Sequence, residues 1–343
     1  MSGLSKEGQR RLFAELRSLH GVSPWYGLLH LAVRLPLQAA LSAIAWQAWL
    51  NANYAAFAGW GLMAAFCFAS LISLTHDALH HRLTGIDWLD EIVARLISWP
   101  IAWPIAVYKH LHLIHHRLSG SDFADPERIS PLASDWQHSK WRRFRLRHQL
   151  WLHMFIYGSF GLLMKLLAGV AGRLSDRAIL RALANDIVGI VVVLGCLGLL
   201  AYRTQGMQGV AGFVLLWAML ERVVGIMHQF RNHMEHYGLW GEQAAFVDTQ
   251  YATARTIKTN LFARLYFNHL NRHADHHVAP AIPFYKLESA HKVIAKAYQQ
   301  EGFESLETEG YFNALHEVLR DMRTSYGVNN SQPNRLRQHK VSP

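Results

Sequence analysis

The chain has 343 residues, 51% of them hydrophobic and 17% charged, with a formal net charge of +10 and 22 histidines. Globular chains hold about 25% charged residues, so this balance excludes a disordered protein, a fibrous repeat and a nucleic-acid-binding tail. The two cysteines, Cys67 and Cys196, both lie in apolar runs, which leaves neither a disulfide framework nor a thiolate zinc site.

A bilayer span needs about 20 mostly apolar residues, because a helix rises about 1.5 Å per residue across a core about 30 Å thick. The chain opens on a polar stretch with Lys6, Arg10, Arg11 and Arg17, which lacks the basic-then-apolar pattern of a leader. Residues 30–50 and 55–75 read as the first two spans; the second, AAFAGWGLMAAFCFASLISLT, carries no charge. It runs out into His76, Asp77, His80 and His81, and His76 and His80, four apart, share one helix face. Residues 88–108 contain Asp90, Glu91, Arg95 and two prolines, and are expected to lie at the interface or half-inserted, since a mid-span charge costs about 2.5–3.5 kcal/mol. Trp99 and Trp103 in that segment read either as an interfacial belt or as the wall of a chain-binding tunnel. KHLHLIHH follows, in which His112, His115 and His116 form HxxHH, with Asp122 and Asp125 shortly after. Residues 137–149, QHSKWRRFRLRHQ, are a basic, aromatic-bearing patch suited to lipid or carrier phosphates.

Residues 151–170 hold His153 and Lys165 and are again expected to be interfacial or half-inserted. The third and fourth spans are read at 186–202 and 210–227, the latter interrupted only by Glu221 and Arg222. HQFRNHMEH then supplies His228, His233, Glu235 and His236, and HADHH repeats HxxHH with His273, Asp275, His276 and His277. Residues 287–325 show helical spacing of Ile294, Ala297 and Tyr298, then Leu315, Val318, Leu319 and Met322, as expected of cytosolic helices capping a metal domain. Residues 326–343 are polar and expected to be disordered.

Lys and Arg crowd the first 24 residues, the 80–150 stretch and the chain from 228 onward, whereas the connections 51–53 and 203–208 hold one Arg between them. The expectation is therefore an all-α integral membrane protein with four transmembrane helices in two hairpins, plus half-inserted or interfacial helices. Both termini, the metal site and a helical cap at 228–325 would face the cytoplasm. Residues 1–325 would form a single domain.

Two HxxHH boxes and one HxxxH, each beside a span on the same side, point to a joint metal site. Imidazole suits iron, zinc, copper or nickel rather than magnesium or calcium. Eight box histidines exceed one ion, so two metals are expected, with His236 as ninth ligand and His233 as its competitor. Asp77, Asp122, Asp125, Glu235, Asp275, His81 and His233 are candidates to support the ligands from behind. The isolated histidines, His291 among them, are expected at surfaces or interfaces.

In this order, with His116-Arg117 running on to Gly120 and then Asp125-Pro126, the boxes resemble those of the membrane fatty acid desaturase and hydroxylase superfamily. The stretch from Val278 to Leu287, VAPAIPFYKL, is similar to the continuation after the third box in bacterial acyl-lipid desaturases, and Glu235-His236 resembles their extra histidine motif. The resemblance implies a non-haem di-iron centre with O2 as co-substrate and an unactivated C–H bond as target. It implies His76, His80, His112, His115, His116, His236, His273, His276 and His277 as ligands. The leading reading is desaturation of a long acyl chain of a fatty acid or lipid. A hydroxylase or ketolase on an alkane, acyl chain or carotenoid is the alternative, and a membrane metal-binding or transport protein is the reading from another class. No HPGG haem motif is present, so electrons are expected from a separate ferredoxin or cytochrome b5-like donor with its reductase. Membrane lipids complete the expected partners, nucleic acid is not among them, and a bacterial inner membrane is the expected location.

Overall fold

A computed structural model describes residues 3–121, 124–131, 136, 139–243 and 245–323; Asp122 and the tail expected at 326–343 lie outside them. The helices are α1 (Lys6–Arg17), α2 (Pro24–Leu50), α3 (Tyr54–Leu79), α4 (Asp87–Ser98), α5 (Ile105–Leu118), α6 (Lys140–Arg147), α7 (Gln149–Ala171) and α8 (Arg177–His236). Then follow α9 (Phe246–Ala252), β1 (Thr256–Lys258), α10 (Leu261–Tyr266), α11 (His273–Val278), α12 (Leu287–Gln300), β2 (Glu307–Glu309) and α13 (Gly310–Arg323). The two strands pair in parallel, Ile257 opposite Thr308. The expected all-helical architecture holds apart from this pair.

The chain forms two compact units. The span unit holds residues 23–112 and 153–229; the terminal unit holds 1–22, 113–152 and 230 onward. One division falls between α1 and α2, and the other three fall inside α5, α7 and α8.

Among the described residues, four helices are long and apolar enough to cross a membrane: α2, α3, α7 and α8. Their outward residues, Val33, Leu37 and Ile44 on α2 and Val188, Val191, Val192 and Leu200 on α8, are exposed apolar side chains, as expected of faces solvated by lipid. The hairpin turn at 51–53 lies between α2 and α3, where Ala52 adopts a left-handed φ of 55° and the Asn53 side chain accepts from the Ala56 amide at 3.1 Å. The second turn lies within α8. Gln205 (φ −144°, ψ 27°) and Gly206 (φ 59°, ψ −136°) break its helical geometry, so the 60 residues form two legs matching the third and fourth expected spans. A Cβ on Gly209 would stand 2.0 Å from the Ala201 carbonyl, which shows how closely the legs meet.

Residues 151–170, expected to be interfacial or half-inserted, lie in Gln149–Ala171, an apolar helix whose length alone would also suffice for a crossing. The helix is irregular near its start. Leu152–Tyr157 is π-helical, and Gly158 takes a left-handed φ of 54°. Polar residues of α8 satisfy the groups this frees. The Ser159 amide donates to Glu221 Oε1 at 3.0 Å, Arg222 donates to the Phe155 and Ile156 carbonyls at 3.4 and 3.3 Å, and Gln229 donates to the Gly158 carbonyl at 3.0 Å. Helix α4 is two-faced: Trp88, Ile92 and Leu96, at i, i+4 and i+8, are all exposed, while Val93, Ala94 and Ile97 are buried.

The terminal unit has an ordinary apolar core. Leu12 and Leu16 of α1 pack with Tyr251, Ala274, Val278, Leu287, Ile294 and Tyr298. The expected inward residues Ile294 and Tyr298 on α12 and Val318 and Met322 on α13 are fully buried, while Leu315 and Leu319 are only partly so.

Candidate metal centre

In the span unit, α3 ends its apolar run at the first histidine pair. His76 sits in the last turn and His80 is the C-cap residue, and His112 comes from α5. The three rings lie with centroids 4.8–5.2 Å apart, and one nitrogen of each is within 4.8 Å of the others. The start of α5 is pinned by a buried carboxylate: Asp186 accepts from the Val107 amide at 3.0 Å and from the Trp99 indole at 2.9 Å. A carboxylate at a helix N-terminus satisfies an otherwise orphaned amide and complements the dipole. Trp99 reaches Asp186 by lying flat over Gly189, where a Cβ would approach its ring to 2.5 Å. Trp99 therefore braces the start of α5 through Asp186.

In the terminal unit, His115 of α5, His236 at the end of α8, and His273 and His277 of α11 each place a nitrogen within 4.8 Å of the other three. Nε2 of His273 lies 2.9 Å from Nε2 of His236 and 3.2 Å from that of His277. What stands behind the rings fixes which nitrogen faces inward. His115 Nδ1 donates to the Asp125 carboxylate at 3.0 Å, His236 Nδ1 to the Thr253 carbonyl at 3.1 Å, and His277 Nδ1 to Gln250 Oε1 at 3.0 Å. Gln250 cannot turn its amide around, because its Nε2 donates to the Ser119 carbonyl at 3.4 Å. All three partners only accept, so Nδ1 carries the proton and Nε2 presents a lone pair to the centre. Burial works to raise the pKa of Asp125, yet the His115 imidazole and the Glu127 amide outweigh it and hold the carboxyl below the usual aspartate range. A second close pair, His116 and His276, brings its Nε2 atoms to 3.2 Å.

Arg255, fully buried, ties two of these ligands together. Its guanidinium donates to the Met234 and Tyr237 carbonyls at 3.1 and 2.9 Å, which closes the orphaned end of α8 around His236. Its amide donates to the Glu235 carbonyl at 2.9 Å and its carbonyl accepts from the Ala274 amide at 3.3 Å, beside His273. Helix α11 is held from the other side as well. Asp275 accepts from Thr256 Oγ1 at 2.7 Å and faces His291 Nδ1 at 3.2 Å, and Arg272 pairs with Glu288 at 2.9 Å and with Glu307.

The expected supporting residues take varied positions. Glu235 sets one carboxylate oxygen 3.6 Å from His273 Nε2 and the other 3.5 Å from Arg231 Nε. Asp275 braces α11 through Thr256 and His291. Asp77 is buried on α3. His81, at a left-handed φ of 55°, approaches Lys109 Nζ to 2.7 Å. His233 is fully buried, stacks on Tyr237, and belongs to neither histidine group. His291, expected at a surface, is buried against Asp275. Sequence reasoning missed Gln250, Thr253, Arg255 and Thr256, whose roles depend on contacts far along the chain.

The chain matches the fatty acid desaturase family profile over residues 52–305. It is 24% identical over 266 residues to an acyl-lipid (9-3)-desaturase of Physcomitrium patens, covering 73% of this chain and 49% of that protein. The chain thus spans about half the length of the curated relative it matches. With a profile match over most of its length and buried histidine clusters able to bind metal, this membrane protein belongs to the fatty acid desaturase family.

Proposed function

We propose that the chain is an O2-dependent non-haem di-iron oxidoreductase that introduces a double bond into a long acyl chain of a fatty acid or lipid. The observation carrying this reading is the inward set of Nε2 atoms in the terminal unit, with three of the four rings locked by Nδ1–H donation. An all-imidazole donor set of this kind suits iron and leaves it strongly positive. The nine histidines His76, His80, His112, His115, His116, His236, His273, His276 and His277 would hold two ions. The group His115, His236, His273 and His277 would serve one of them. When bound, the ions would supply the oxygen-activating chemistry that attacks an unactivated C–H bond. The protein's own part is to fix ring orientation: Asp125, Thr253 and Gln250 hold the protons on Nδ1, and Arg255 holds the His236 and His273 backbones in register. Residues 1–325 would act as one desaturase-type domain with the metal site on the cytoplasmic face. Electrons would come from a separate ferredoxin or cytochrome b5-like partner. The acyl-lipid substrate of the moss relative supports a lipid-bound chain as substrate here too.

The test joins metal analysis to lipid profiling of a host expressing the protein. Two irons per chain, lipids two hydrogens lighter, and loss of both in His276→Ala are the expected results. Lipids one oxygen heavier would instead make it a hydroxylase. Zinc alone with no oxygen consumption would overturn the reading in favour of a metal-binding protein.

A further inference from the structure

Helix α6 has no part in the metal centre and buries none of its eight residues. Five of them, Lys140, Arg142, Arg143, Arg145 and Arg147, are cationic, and the helix contains no acid. Like charges three and four apart destabilise an isolated helix, yet this one is built deliberately: Ser139 caps it, accepting from the Arg142 amide at 3.3 Å. Trp141 and Phe144 are 66% and 47% exposed and stack on each other at 5.5 Å, so a flat apolar surface sits among the cations. The chain then passes through His148 directly into α7, one of the four helices of membrane-crossing length. Eight residues rise only about 12 Å, so every cation of α6 lies within roughly one to two Debye lengths of the start of that span along the chain.

We propose that α6 is a docking helix for the anionic phospholipids of the leaflet where α7 enters the membrane. The arginines and Lys140 would meet the phosphodiester headgroups, and the Trp141–Phe144 stack would lie at the headgroup–acyl boundary. Charge complementarity favours an anionic partner, and the exposed aromatic pair together with the juxtamembrane position favours a lipid surface over a soluble acidic protein.

The test uses the full chain, purified in a neutral detergent, delipidated, and titrated with phosphatidylglycerol or phosphatidylcholine while retained lipid is read by native mass spectrometry. The wild type is expected to retain phosphatidylglycerol preferentially, and to lose that preference as salt rises. The variant R142Q/R145Q/R147Q should bind phosphatidylglycerol about tenfold or more weakly, while R142K/R145K/R147K, which keeps the charge, should retain it. An unchanged thermal midpoint confirms that these variants are folded. Equal retention of the two lipids by the wild type would overturn the proposal, since that measurement needs no variant. So would unchanged phosphatidylglycerol retention in the glutamine variant accompanied by loss of binding to an acidic carrier protein, which would assign the helix to a protein partner.

Discussion

Gln250 decides which nitrogen His277 turns inward. Its amide is clamped between the Ser119 carbonyl and His277 Nδ1, at 3.4 and 3.0 Å, so a neutral His277 has one tautomer available. Gln250→Leu keeps the volume and removes the acceptor. Loss of a partner behind a ligating histidine costs roughly 10–100-fold in metal affinity. Metal retained after dialysis against graded chelator should fall by that factor while the helical circular dichroism stays unchanged; equal retention would show that Gln250 is a bystander. The contrast with the ligands shows what a sequence reveals. His112, His115 and His116 declare themselves because one helix turn brings them together, and HxxHH at 273–277 does the same. Gln250 lies 27 residues from His277 and Thr253 lies 17 from His236, so no local period encodes them, whereas Asp125, which follows the second box, stands close enough to His115 in the chain to be a candidate from the sequence. His233 illustrates the opposite failure: it sits on the helix beside His236, yet its ring packs on Tyr237 and stays out of both groups.

At the scale of elements, apolar runs and charge-poor turns located α2, α3 and both legs of α8, because hydrophobic length is a property of neighbouring residues. In α7 the irregular stretch is satisfied by Glu221, Arg222 and Gln229 from another helix, and no local pattern encodes that repair. The turn inside α8 rests on Gly206, whose φ of 59° and ψ of −136° are scarcely open to an L-residue. No atom lies within 4 Å of a Cβ placed there, so Gly206→Ala should cost backbone strain alone, about 1–3 kcal/mol; a thermal midpoint in detergent equal to the wild type would contradict this. Arg255→Met should cost about 3 kcal/mol, since it strands the Met234 and Tyr237 carbonyls and removes the partner of Glu317. It should also release metal, because His236 loses its fixed helix end. Asp248 joins three segments by accepting from the Leu4 amide at 3.2 Å and the Tyr298 hydroxyl at 2.7 Å. Burial pushes its carboxyl above the usual aspartate range despite both donors. A raised folded pKa means its stability contribution is complete below the unfolded value and is lost as pH rises through the folded one. Asp248→Asn accepts the same bonds without ionising, so urea unfolding should show the variant gaining on the wild type as pH climbs out of the acid range. A gap that does not change with pH would refute the assignment.

For the whole molecule, the terminal unit draws its four-histidine group from positions 115, 236, 273 and 277, which belong to three helices far apart in sequence. A metal ion bound there is held by the folded chain and by no comparable site in the unfolded one, so its binding free energy becomes folding free energy. At free metal a hundredfold above the dissociation constant the gain is about 2.7 kcal/mol. The gain should also be local. Because the group lies wholly within the terminal unit, iron loading should slow amide hydrogen exchange in α9 and α11, the helices that carry Gln250, His273 and His277. His277→Ala should abolish that slowing while leaving exchange in α2 as in the wild type, since α2 belongs to the span unit and contributes no histidine to the group. The measurement reads metal occupancy without reference to turnover, so it separates a working metal centre from a failed substrate assay. If loading leaves α9 and α11 unprotected, or if His277→Ala remains as protected as the wild type, the four imidazoles are a packed core rather than a ligand set.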